Sequence, residues 1–164
     1  MKTSSIVSTV FLISIAAMPA MASAKDVHEP SPAFVAKQFA LWNAALKTGS
    51  AEKVAALYCE SGGVLIPTLS NSIRSNRREI ADYFEHFLQL KPVGQIDKAY
   101  IRILGANTAI NSGLYTFHIV KDGKPEEVHA RYTFVYQKQH GKWCIMEQHS
   151  SAMPETEAQQ MPGH

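Results

Sequence analysis

After Gly94 the hydrophobic repeat of this chain changes from 3.6 residues to 2 and does not change back. Few features constrain a fold more, because a helix-period segment cannot lie flat as a strand, nor the reverse. Before the change, Ser31-Pro32 supplies an N-cap and a proline at the first helical position. Phe34, Val35, Gln38, Phe39, Trp42, Ala45 and Leu46 follow as one stripe, which Gly49 ends. Ser50 caps a second short helix over Ala51 to Tyr58. A brief apolar strand, Val64 to Ile66, stops at Pro67. Asn76 and Glu79 form a capping box for a third helix, whose Ile80, Tyr83, Phe84, Phe87 and Leu88 make one apolar face. After the change, four alternating segments read as strands: Ile96–Leu104, Ala109–Val120, Val128–Gln139 and Lys142–Ser151. The joints Gly105-Ala106-Asn107, Asp122-Gly123 and His140-Gly141 are hairpin chemistry. Helices first and a meander after predict an α+β fold, three N-terminal helices packed on a curved antiparallel sheet. The two layers close as a cone, and small-molecule sites sit in such concavities.

The first 24 residues stand apart from this domain. Lys2, an apolar run of about 12 residues from Ile6 to Ala17, and Ala22-Ser23-Ala24 are the three parts of a cleavable secretory signal. The run falls short of the ~20 apolar residues a spanning helix needs. Cleavage after Ala24 leaves 140 of the 164 residues: a domain over 25–155 and a polar tail over 156–164. The expected location is the periplasm or the medium. With Lys2 gone the net charge falls from +2 to +1, and so even a balance argues against nucleic acid or a membrane surface as partner.

Export permits a disulfide between the two cysteines, Cys59 and Cys144. Bridging requires their Cα atoms to lie within about 7 Å. Their apolar settings favour instead two separate, buried thiols. Neither cysteine has metal-ligand spacing to a histidine, and no metal is expected. A phosphate loop and a dinucleotide fingerprint are missing from the sequence, so no cofactor is expected.

The strand from Val128 carries most information about function. Val128, Ala130, Tyr132, Phe134 and Tyr136 share one face, suited to a core or a subunit interface. His129, Arg131, Thr133 and Val135 share the other, which faces either solvent or a lined cavity. In a cavity, Arg131 would offer a planar donor fork to a carboxylate. Arg74, Arg77 and Arg78 form a second basic group, opposed to the dipole of the third helix and therefore better explained by an anion or partner contact. On the last strand Glu147 and His149 share a face and could serve as acid and base. Ser150 beside His149 makes no triad, because strand neighbours point to opposite faces.

The residues from Arg131 to Tyr136, Gly141-Lys142-Trp143, and the closing run His149 to Pro154 resemble the association (hub) domain of calcium/calmodulin-dependent protein kinase II. Leu65 to Asn71, Arg74 and Ile80 to Phe84 are similar to the secreted bacterial stand-alone versions of that domain. The resemblance spans roughly Pro32 to Glu155. It implies the cone fold shared with nuclear transport factor 2, SnoaL-type cyclases and ketosteroid isomerase, and self-association as a homodimer or a larger ring. It also implies a small anionic ligand, with Arg74, Arg131 and His149 at matching positions; Tyr83, Tyr115 and His149 are the candidate pocket walls of such a binder. The strand Ala109–Val120 departs from the kinase hubs in having no arginine. Kinase and calmodulin-binding segments are lacking, so a kinase activity is not expected. Related bacterial sequences carry an SgcJ/EcaC-type oxidoreductase label, which no residue here supports. The reading is therefore a non-catalytic, oligomeric binder of a small carboxylate. Its alternative is an isomerase- or cyclase-like enzyme using Glu147 and His149, with Asp82 and Asp97 as the other available carboxylates.

Overall fold

A computed structural model describes residues 30–154 except 69; the expected signal segment 1–24 and the expected tail 156–164 lie outside the described residues. The element order is α1 (Pro32–Lys47), α2 (Ala51–Ala55), β1 (Val64–Ile66), α3 (Arg77–Phe87), β2 (Val93–Ile103), β3 (Thr108–Lys121), β4 (Lys124–Gln139) and β5 (Lys142–Ala152). A single 3-10 turn, Leu88–Leu90, joins α3 to β2. The expected α+β class holds.

The helix starts follow from their caps. Ser31 Oγ accepts the Phe34 N–H at 3.1 Å, Ser50 Oγ accepts that of Lys53 at 3.3 Å, and Asn76 Oδ1 accepts that of Glu79 at 3.0 Å. The Glu79 carboxylate reaches back to the Ser75 N–H at 2.9 Å, one residue before the cap. That bond and the Asn76 side chain hold its pKa below the ordinary carboxylate value.

The five strands form one sheet in the order β1-β5-β4-β3-β2. Only β1 runs parallel to its neighbour, with Leu65 opposite Gln148. Two hairpins close through two-residue turns with both central residues at positive φ: Asp122 (51°) with Gly123 (74°), and His140 (48°) with Gly141 (81°). These tight turns fix the register on both sides of β4, with Lys121 opposite Lys124 and Gln139 opposite Lys142. Strands β2 and β4 start three to four residues earlier than the alternation suggests, at Val93 and Lys124. Neither Pro92, just before β2, nor Pro125, near the tip of the β3–β4 hairpin, ends pairing there.

The core lies between the helices and one sheet face. Phe39 and Trp42 of α1 meet Phe134 at ring-centroid distances of 5.9 and 5.4 Å, and Phe84 of α3 packs edge-on against Trp42 at 6.3 Å. Tyr132, Phe134 and Tyr136 are therefore interior residues, not an outer contact face. Burying each such ring contributes about 1.5–3 kcal/mol. Asn43 closes the layer by bonding both backbone groups of Gly94, at 2.8 and 2.9 Å.

The structure joins Cys59 to Cys144, with Cα atoms 4.9 Å apart, so the two cysteines are not separate thiols. Backbone bonds place them: Cys59 N–H donates to Ile145 O, and Ile145 N–H donates to Leu57 O, each at 2.8 Å. Beside that joint the β4–β5 register shifts, Met146 of β5 being the extra residue between the Val135–Glu147 and Tyr136–Ile145 pairs.

Candidate functional site

Two concavities adjoin at the open end of the cone. The inner one is lined by side chains of α1, α3, β3, β4 and β5 together with Leu65, Pro67 and Thr68. Its walls include Trp42, Phe84, Phe117 and Ile119, and its polar groups are Thr68, Tyr115, Gln148 and Ser150. The free space is about 30 Å³, room for a water-sized group. The outer one is an open groove of about 620 Å³ between the Ser70–Arg74 loop and α3. Ile73, Arg74, Glu79, Asp82 and His86 line it. Tyr83 and Phe87 line both spaces and stack on each other at 5.9 Å, so this aromatic pair is the partition between them.

The floor of the inner cavity is a set of neutral hydrogen-bonding groups. Tyr115 donates its hydroxyl to Ser150 Oγ at 2.6 Å, Ser150 and Thr68 share a hydrogen bond, and Tyr58 donates to Gln148 Oε1. Burial pushes the phenols of Tyr58 and Tyr115 well above their ordinary range, so both remain O–H donors. The indole N–H of Trp42 faces Tyr58 without closing a hydrogen bond.

The five residues expected to form one pocket are divided between two faces of the sheet. Tyr115 lines the inner cavity, Tyr83 lies in the partition, and Arg74 lines the groove, donating Nη2 to Ser70 Oγ at 3.2 Å. Arg131 and His149 are exposed on the opposite, outer face of the sheet. Arg131 Nε donates to Ser151 Oγ at 3.2 Å, and His149 stands opposite Thr133. The cause is alternation: the aromatic partners of Arg131 on β4 fill the core, so Arg131 must point away from it. Glu147, the proposed acid–base partner of His149, shares this outer face and is exposed. So is Asp97, which takes part in a chain of polar contacts. Thr116 donates to Asp97 Oδ2 at 2.7 Å and accepts from His129 Nδ1 at 2.9 Å; Glu127 lies 4.0 Å from His129 and 3.3 Å from His118. Asp82 is exposed at the groove rim. Arg77 makes only a loose surface pair with Glu52 at 4.0 Å. Among the described residues no group of three or more His, Cys, Asp or Glu could hold a metal, and no helix is long and apolar enough to cross a membrane.

Sequence reasoning passed over Tyr58, Thr68, Gln148 and Ser150. Their signal was nonetheless present. Gln148 and Ser150 alternate with Glu147 and His149 on β5, and they share the inward face with Ile145. Charge drew attention to the outer set, whereas the cavity uses the neutral one.

The sequence model of the calcium/calmodulin dependent protein kinase II association domain matches residues 33–154. A crystal structure described as such an association domain, from Xanthomonas campestris, is 48% identical; it matches over 86% of this chain and 95% of its own, with a TM-score of 0.74. The hub homology domain of Chlamydomonas reinhardtii is similar at 20% identity, over 74% of this chain and 97% of its own, with a TM-score of 0.59. An NTF2-like protein with a cystatin-like fold from Novosphingobium aromaticivorans has a TM-score of 0.62 at 13% identity, over 76% of this chain and 82% of its own. These last two likenesses establish the fold alone. No curated protein matches.

Proposed function

Since the chain belongs to the calcium/calmodulin dependent protein kinase II association domain family, we propose that it is an exported, non-catalytic, self-associating domain that holds a small anionic molecule at the mouth of its cone. The observation that carries self-association is the outer sheet face. Ile110 and Val135 are direct neighbours there, with Val64 in the same row and Leu114 and Ile66 in adjoining ones, all half-buried, and Tyr100 is 56% exposed. A sheet face of this composition gains by pairing with a copy of itself, and an isologous two-fold contact needs only one such patch. The description of the family as an association domain supports the same reading. For the ligand, the support is Arg74 on the groove wall, offering a guanidinium beside Tyr83 and Phe87. For export, the support is the signal-like start of the sequence and the Cys59–Cys144 bond, which suits an oxidising compartment.

Sedimentation of the chain lacking residues 1–24 is expected to give a dimer or larger ring at micromolar concentration. Val135→Glu, which sets a carboxylate opposite Glu147, is expected to shift it to monomer. A wild-type monomer at tens of micromolar would refute the assembly reading. Titration with cyclohexanecarboxylate against Arg74→Ala tests the ligand; equal binding by both proteins, or none, would refute it.

A further inference from the structure

The cavity floor is rich in neutral donors, and one of them, the Trp42 indole N–H, has no acceptor. Tyr115 donates to Ser150, and Ser150 and Thr68 share one hydrogen bond. Two of the three hydroxyl protons serve these bonds, and Thr68 also lies within reach of the Tyr115 oxygen. Gln148 uses its carbonyl to accept from Tyr58 and sets its amide N–H₂ beside the Tyr115 hydroxyl. Trp42 adds a donor-only indole N–H, on a side chain 1% exposed, with no partner. Trp42, Thr68, Gln148 and Ser150 all line the same small space, and none of the described residues lining it is charged.

From this we infer that the cone floor is a receptor for one uncharged oxygen acceptor, such as the carbonyl of a ketone or an ester. A carboxylate would lose its hydration there without gaining a counter-ion, since Arg131 lies beyond the sheet and Arg74 lines the groove outside. The raised phenol pKa values keep Tyr58 and Tyr115 as donors across the physiological range. The space of about 30 Å³ admits the oxygen-bearing end of a molecule, and its apolar body lies against the stacked Tyr83–Phe87 pair, which lines both spaces, and runs into the groove. This rests on the reading of the cone as a binding cavity. It narrows the ligand to an apolar compound with a neutral oxygen at its inner end, with any acidic group left outside beside Arg74.

The test uses two molecules of like shape, cyclohexanone and methylenecyclohexane, titrated into the chain lacking residues 1–24. The readout is the indole N–H resonance of Trp42, distinguished from that of Trp143 by a Trp42→Phe spectrum. Cyclohexanone is expected to bind at least about tenfold more tightly and to move the Trp42 resonance downfield. Tyr115→Phe and Thr68→Val are expected to reduce that preference, while Arg77→Ala, on the exposed surface and outside both spaces, leaves it unchanged. Equal affinities, or an unmoved Trp42 resonance, would overturn the inference even where cyclohexanecarboxylate still binds through Arg74. Failure of all three compounds to bind would overturn this inference and the ligand reading together, the cavity then holding water only.

Discussion

The Cys59–Cys144 bond is expected to dominate the stability of this domain, chiefly through the unfolded chain. It closes a loop of 85 residues. Chain-entropy arithmetic for that length gives about 15 cal/mol/K, or roughly 4.5 kcal/mol at 25 °C. The native side of the balance changes little, because backbone bonds from Cys59 to Ile145 and from Ile145 to Leu57 already hold the two segments together. Replacing both cysteines by alanine should therefore lower stability by about 3–4.5 kcal/mol. With roughly 2 cal/mol/K of unfolding entropy per residue, a domain of this size should melt about 10–17 °C lower. The assay is urea unfolding of the oxidised protein and of the Cys59→Ala/Cys144→Ala variant, followed by near-UV dichroism. The unfolded variant exposes more surface, so its denaturant slope should also rise. A loss below about 1 kcal/mol with an unchanged slope would refute the reasoning, because the cross-link would then not be restricting an expanded unfolded chain.

Two further outcomes follow from burial. A Cβ on Gly113 would lie 1.8 Å from the carbonyl oxygen of Lys98 and 3.2 Å from Cα of Ala99, all backbone, so β2 would have to move. Gly113→Ala should cost about 3 kcal/mol or more in urea unfolding; a cost below about 1 kcal/mol would contradict the close approach of β2 and β3. Burial raises the phenols of Tyr58, Tyr115 and Tyr136 far above their ordinary value of 10.0, and pushes Tyr132 up to about 12. A folded pKa above the unfolded one means that the folded state retains the proton longer, so this stability is complete below pH 10 and lost as pH rises through the folded values. Each tyrosine contributes roughly 1.4 kcal/mol per pH unit in that window. Phenolate absorbance should therefore rise cooperatively with loss of the near-UV signal; phenols titrating near pH 10 in the folded protein would refute it.

Most of the fold was legible because it rests on local rules. The Phe34-to-Leu46 stripe, the capping box at Asn76 and the two-residue turns each specify their own segment and need no distant partner. The disulfide was not legible, because it depends on a Cα separation set by the backbone bonds between the Leu57–Cys59 segment and Ile145, which bring together residues far apart in sequence. The placement of Arg131 was half legible. Alternation separates Arg131 from Tyr132 and Phe134, but the expectation of an arginine-lined cavity competed with the simpler rule that the aromatic face forms the core.

That rule has a consequence for function. Were Arg131 turned inward, an aromatic layer would have to accept an unpaired guanidinium, at a cost of several kcal/mol. Its neighbours across the sheet are Leu114 on β3 and Ser151 on β5, both on the outer face. Arg131 and His149 can therefore act only on something lying against the outside of the sheet, and a second copy of the chain is what this face is proposed to meet. Arg74, Tyr83 and Tyr115 line the groove and the inner cavity, where the proposed ligand would lie. The basic residues expected in one binding site thus lie on two surfaces, and under the proposed function a substitution on one face should leave the process on the other intact. Coupling between assembly and ligand would have to pass through the sheet itself. The direct route is β5, where Ser150 on the cavity floor lies between His149 and Ser151 on the outer face.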